Sequence, residues 1–160
     1  MKHLPKHLRP RWRYLAVGIE TWPDASIPRG AFQRSLWYAA QNLLGDPGSA
    51  DADLTVVTYE FGDGAGEAIV RARRGEVDAA RAALACVADV DGEAIGLRVR
   101  GVSGTIRACE ERYLGRAAGV RDERDVAFES ESRRAYSRDG AVDVETPDGF
   151  VGATDEDVSR

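Results

Sequence analysis

Lysine is almost missing from this chain: Lys2 and Lys6 are the only lysines among 22 basic residues, and the rest are arginine. Cysteine is limited to Cys86 and Cys109, histidine to His3 and His7, and methionine to Met1. Two cysteines in 160 residues support neither a disulfide framework nor a cysteine-rich metal centre. Both lie in segments whose spacing predicts helix, so they are expected to be reduced core thiols. His3 and His7 stand at the i, i+4 spacing of a metal pair, but Pro5 between them breaks the helix that this spacing requires, and no metal site is expected. With histidine confined to the first seven residues, no Ser-His-Asp arrangement is persuasive. No apolar run approaches the ~18–20 residues of a membrane-spanning helix, and the opening Met1-Lys2-His3-Leu4-Pro5-Lys6 lacks the apolar stretch of a secretory signal. A soluble chain of the cytoplasm, with no membrane partner, is expected.

What the chain does have is charge, unevenly spread. The total is −5 from 22 basic and 27 acidic residues. Residues 1–116 hold 16 basic and 15 acidic side chains, whereas residues 117–160 hold 6 and 12. Residues 1–14 contain Lys2, Lys6, Arg9, Arg11 and Arg13 and no acid. A negative total built with arginine suits high salt, where long-range attraction is screened but guanidinium groups still make forked hydrogen bonds. The acidic total therefore does not exclude a nucleic-acid partner.

Three regions follow: a basic N-terminal arm over 1–14 that leads into the first strand, a folded domain over 11–116, and an acidic, largely disordered tail over 117–160. The tail's large apolar residues follow no sustained period, and only Ala141-Val142-Asp143-Val144 alternates, a weak signal for extended pairing near 140–149. In the domain, Leu15, Val17 and Ile19 alternate with Trp12, Tyr14, Ala16 and Gly18, which predicts a half-buried strand. Phe32, Leu36, Ala39, Ala40 and Leu43 recur at helical spacing over 27–44, with Gly45 placed to close the helix and 46–53 as a polar loop. Strands are predicted over 54–61 and 67–73, joined by the glycine-rich Gly62-Asp63-Gly64-Ala65-Gly66 as a hairpin. A helix over 75–87 closed by Asp91-Gly92, a strand over 94–102, and a helix capped by Thr105 and ending at Gly115 complete the series. The order β-α-β-β-α-β predicts an α+β, ferredoxin-like sandwich: a four-stranded antiparallel sheet with two helices on one face, plus an additional C-terminal helix.

In that fold one sheet face lacks the two crossover helices. Trp12 and Tyr14 would point there with Arg71, Arg73, Arg98 and Arg100, an aromatic and guanidinium mixture suited to RNA, unless the last helix covers the face. The arm from Lys2 to Arg13, with its five cations, suits a phosphate-rich surface. In Gly101-Val102-Ser103-Gly104-Thr105-Ile106-Arg107, small residues precede a helix start, which could receive a phosphate or simply cap the helix. The segment lacks the glycine pattern and lysine of a P-loop. Asp89, Asp91 and Glu93 read as solvated turn residues. No catalytic constellation is expected in this chain.

Two segments carry a family resemblance. Residues 4–15 (Leu4-Pro5-Lys6-His7-Leu8-Arg9-Pro10-Arg11-Trp12-Arg13-Tyr14-Leu15) resemble the opening of the archaeal ribonuclease P protein component 2 family, and residues 101–107 resemble its signature near the domain's end. The likeness spans residues 4 to about 114. The acidic tail lies outside that core and looks like a haloarchaeal extension. The resemblance implies a protein subunit of a ribonucleoprotein endonuclease that removes the 5′ leader from precursor tRNA. It implies chemistry in the RNA subunit with magnesium bound there, and no cofactor on this chain. The implied partners are ribonuclease P RNA, precursor tRNA, ribonuclease P protein component 3 and other ribonuclease P proteins, with homodimerisation within the subcomplex left open. Lys6, Arg9, Arg11 and Arg13 are the expected RNA contacts, joined by Arg71, Arg73, Ser103, Thr105 and Arg107. The rivals are a small-molecule regulatory domain of ferredoxin-like fold and a stand-alone RNA-binding domain.

Overall fold

The computed structural model describes residues 3–115 and 122–158. Lys2 of the arm and residues 116–121 at the domain–tail boundary lie outside them. The elements are β1 (Trp12–Thr21), α1 (Arg29–Ala52), β2 (Thr55–Gly62), β3 (Ala65–Arg73), α2 (Val77–Ala85), β4 (Asp89–Val90), β5 (Glu93–Ser103) and α3 (Ile106–Tyr113). After them come β6 (Asp122–Phe128), β7 (Glu131–Arg138), β8 (Ala141–Thr146) and β9 (Gly149–Thr154). The chain is α+β, with two antiparallel sheets.

The first sheet has the order β2-β3-β1-β5-β4. Leu15, Val17 and Ile19 of β1 and Ala68, Val70 and Ala72 of β3 face one way, into a core closed by Phe32, Leu36 and Ala40 of α1 and Ala80, Ala83 and Leu84 of α2. Phe32, Leu15 and Leu36 are fully buried, each such side chain being worth about 1.5–3 kcal/mol relative to exposure. The opposite face carries Ala16 and Ile69, and Cys109 of α3 packs on them with Tyr14 and Tyr113 around. The last helix therefore does cover the middle of the face that the two crossover helices leave open.

Three expectations need correction. The sheet has five strands, not four, because Asp91-Gly92 is not a helix stop: with φ of 50° and 85° it turns a hairpin between β4 and β5, while α2 ends at Cys86. The segment 46–53 is helical through Ala52. Gly45 (φ 72°, ψ 172°) breaks α1 as expected, but Asp46-Pro47 restarts it, proline being well placed in a first helical turn. Cys86 is exposed and only Cys109 is a core thiol, its pKa pushed up to about 11 by burial and the neighbouring Glu110 carboxylate.

The largest correction concerns the tail. Residues 122–154, expected to be mostly disordered, form a four-stranded meander of order β6-β7-β8-β9. Its core is small: Val126, Ala135, Val142, Val144 and Val158, with Phe128 and Ala153 against it. Left-handed Glu129-Ser130 and Asp139-Gly140 supply two of its turns. The sheet is docked on the far ends of β1 and β3. The buried Arg138 donates to the Gly64 carbonyl at 2.9 Å, the Thr21 carbonyl at 3.0 Å and Asp143 Oδ2 at 3.0 Å. Trp22 stacks on Phe150 beside it, with ring centroids 6.0 Å apart.

Candidate nucleic-acid interface

The arm and the beginning of β1 gather arginines at the pole opposite the second sheet. The arm is not an extended strand. Lys6–Leu8 makes one 3-10 turn, and Arg9 Nε donates back to the Leu4 carbonyl at 2.8 Å. Lys6, Arg9 and Arg11 are exposed. The Arg74 amide donates to the Arg11 carbonyl at 2.9 Å, which ties the arm's end to the end of β3.

Register then sets the side chains in rows. Trp12 lies opposite Arg73, and Tyr14 lies between Arg71 on β3 and Ser103 on β5. The Arg71 guanidinium carbon sits 4.0 Å from the Trp12 ring centroid and that of Arg73 at 5.0 Å. Such contacts fix two otherwise mobile cations, at about 0.5–1 kcal/mol each where solvent-exposed. Arg73 Nη2 also lies 3.4 Å from Asp53 Oδ2, a half-exposed pair of little energetic weight. Arg71 Nε and Ser103 Oγ are buried without a hydrogen-bond partner.

The remaining expected residues are used differently. Thr105 caps α3, its Oγ1 accepting from the Ala108 amide at 3.1 Å. The exposed Arg107 pairs with Glu111 one turn along α3 at 2.9 Å. Arg98 and Arg100 do not join Arg71 and Arg73 around the aromatics. Arg100 lies over Gly18, paired with Glu67 and donating to the Tyr113 carbonyl at the other end of α3, and Arg98 is exposed. Sequence reasoning passed over Arg74, although the run Arg71-Ala72-Arg73-Arg74 at a strand end was the signal for it.

The segment 101–107 is explained mostly by packing. A Cβ on Gly101 would fall inside the Tyr113 ring, so this glycine is what lets α3 lie on the sheet. A Cβ on Gly104 would lie 2.8 Å from Arg13 Nη1, so the second glycine makes room for that guanidinium. Among the described residues, no group of three or more His, Cys, Asp or Glu side chains is placed to hold a metal ion, and no helix is long and apolar enough to cross a membrane.

The chain belongs to the Rpp14/Pop5 family, whose model matches residues 13–114. Within it the chain groups with ribonuclease P protein component 2. It is 67% identical over 153 residues to that protein of Halorubrum lacusprofundi, covering 96% of each chain. It is 61% identical to that of Natronomonas pharaonis over 99% of this chain and 98% of the relative. The protein of the same name from Methanosarcina mazei is 34% identical, and 93% of it is matched by 71% of this chain. The second sheet lies beyond the residues that the family model matches.

Proposed function

We propose that this ribonuclease P protein supports the catalytic RNA in removing the 5′ leader from precursor tRNA, by laying its arginine-rich pole against the RNA backbone. The observation that carries this reading is the pole itself: Arg11, Arg13, Arg71, Arg73 and Arg74 gather around Trp12, with Asp53 the one carboxylate among the described residues that is paired into the group. Cations held close together without matching acids are suited to displace the counterions of a phosphate chain. The names of the relatives support the ribonucleoprotein; the geometry supports the part of this chain that would meet it. On this reading Lys6 and Arg9 of the arm extend the contact, and Ser103 lies next to it through Tyr14. Thr105 and Arg107 act mainly through α3.

The chemistry is assigned to the RNA subunit, where magnesium would be held. On this reading the chain's own work is to bind and orient the RNA. Protein component 3, further ribonuclease P proteins and a second copy of the chain are the proposed protein partners, and the cytoplasm the proposed location. A ferredoxin-like assignment for residues 12–113 belongs to the same reading: with the two-residue β4 set aside, the order β2-β3-β1-β5 is the one expected of that fold.

The test is RNA binding by the Arg9→Ala, Arg11→Ala, Arg13→Ala triple variant over a salt series. Each phosphate contact contributes about −0.7 to −0.9 to the slope of log K against log salt. The triple variant is expected to bind ribonuclease P RNA more weakly with a slope flatter by about two to three. Unchanged affinity and slope would remove the arm and β1 from the RNA contacts.

A further inference from the structure

A shallow cavity of about 270 Å³ opens beside the start of β1, lined by Arg11, Trp12, Arg13, Arg74 and Gly104. Three arginines converge on this recess and no carboxylate lines it. Arg73 next to it is met by Asp53, but Arg11, Arg13 and Arg74 have no ion pair or side-chain hydrogen bond among the described residues. Three features fix their convergence. The Arg74 amide to Arg11 carbonyl bond closes one side, and the β1–β3 ladder, with Arg13 opposite Ala72, closes the next. The third is the missing side chain at Gly104, whose place the Arg13 guanidinium occupies.

Three like charges held in one recess repel each other, and an anion converts that repulsion into attraction. A guanidinium presents donors in a planar fork that fits the oxygens of a phosphate, so three of them can surround one such group. The positive surface continues from the recess onto the Arg71 and Arg73 guanidiniums stacked over Trp12, which favours a chain of phosphates over a lone anion. We propose that this recess is a site for a single phosphodiester of an RNA backbone, with Arg11, Arg13 and Arg74 as the donors, Trp12 as its wall and Gly104 as the residue that sets Arg13 in place. The proposal rests on the RNA-contact reading above and narrows it to one site, in which Arg74 is a new member.

Gly104→Ala tests geometry apart from charge. Gly104 does not have the left-handed backbone that excludes alanine, and the added methyl meets only the flexible end of Arg13, so the variant keeps both fold and net charge. The site predicts that Gly104→Ala lowers affinity for ribonuclease P RNA about tenfold and flattens the salt slope by about one. The unfolding midpoint should stay where it is. Arg74→Gln is expected to give a loss of similar size. At matched ionic strength, inorganic phosphate should displace RNA from the wild-type chain better than chloride does, and this advantage should vanish in Gly104→Ala. Unchanged RNA affinity in both variants would overturn the site. Thermal stabilisation by millimolar inorganic phosphate with RNA affinity untouched in both variants would also overturn it, replacing the backbone phosphodiester with a free anion. A wild-type chain that binds no ribonuclease P RNA would instead overturn the broader reading, so the two failures are distinguishable.

Discussion

Replacing Arg138 with alanine will loosen the second sheet from the first and lower stability by about 3–5 kcal/mol, the usual cost of stranding one partner of a buried ion pair. Arg138 is 2% exposed, and its guanidinium holds Asp143 on its own sheet and the Thr21 and Gly64 carbonyls on the other. No other described side chain bridges the two sheets by so many polar contacts. Hydrogen exchange should show the release directly, with β6 to β9 losing protection while β1 and β3 keep theirs near the Phe32 core. The deficit should also depend on pH. Burial raises the Asp143 carboxyl above its ordinary value, and Arg138 opposes that shift. A raised acid contributes stability at low pH that is lost as pH rises through its folded pKa. Removing Arg138 raises it further, so the variant's deficit should shrink as pH falls towards the carboxylate range and be full at neutrality. A deficit equal at pH 4 and pH 7 would mean that Asp143 is not the stranded partner.

Gly101→Ala is the second large effect expected. Its methyl would collide with the Tyr113 ring, and overpacking of this kind costs about 1–3 kcal/mol. The strain is relieved by lifting α3, which uncovers Ala16 and Ile69 and frees the Cys109 thiol, now buried and donating to the Tyr14 carbonyl. Thiol labelling reads this out. The native wild-type chain should label at the exposed Cys86 alone, and the variant should label at Cys109 as well. Continued protection of Cys109 with unchanged stability would show that Tyr113 rearranges alone and that Gly101 does not seat the helix.

These two variants mark the boundary between what was legible in the amino-acid sequence and what was not. β1, the first part of α1, the β2–β3 hairpin and the Thr105 cap were legible because period, turn chemistry and burial agree there. At Asp46-Pro47 and Asp91-Gly92, residues that end one element also begin another, and local signals do not say which. The second sheet was hidden because its core is five small side chains scattered from Val126 to Val158 among acids, arginines and serines. Asp139-Gly140 and Asp148-Gly149 were hairpin signals within it, but without apolar alternation on both sides they carry little weight. The alternation of Arg71 and Arg73 with the core was readable from the chain. That Arg100 is taken by Glu67, that Arg73 lies over Trp12, and that Arg74 joins Arg11 and Arg13 depend on contacts between segments far apart in sequence.

Packing accounts for most of the 101–107 segment. One glycine admits a helix, the other admits an arginine, and the threonine caps the helix start, so Gly104, with Ser103 beside Tyr14, is what links the segment to the proposed interface. The second sheet sits at the other end of β1 from that interface, with Arg138 as its anchor. A strongly acidic unit is thereby kept about ten strand residues away from the proposed RNA contact, on the order of 30 Å at the usual rise per residue.

The most direct test of the account is precursor-tRNA cleavage by the catalytic RNA with magnesium and the partner proteins, with and without this chain, over a salt series. The account predicts stimulation that requires the RNA subunit and is lost when Arg11, Arg13 and Arg74 are replaced together by alanine in a chain that still folds. Absence of stimulation by the folded wild-type chain, or full stimulation by the triple variant, would contradict it.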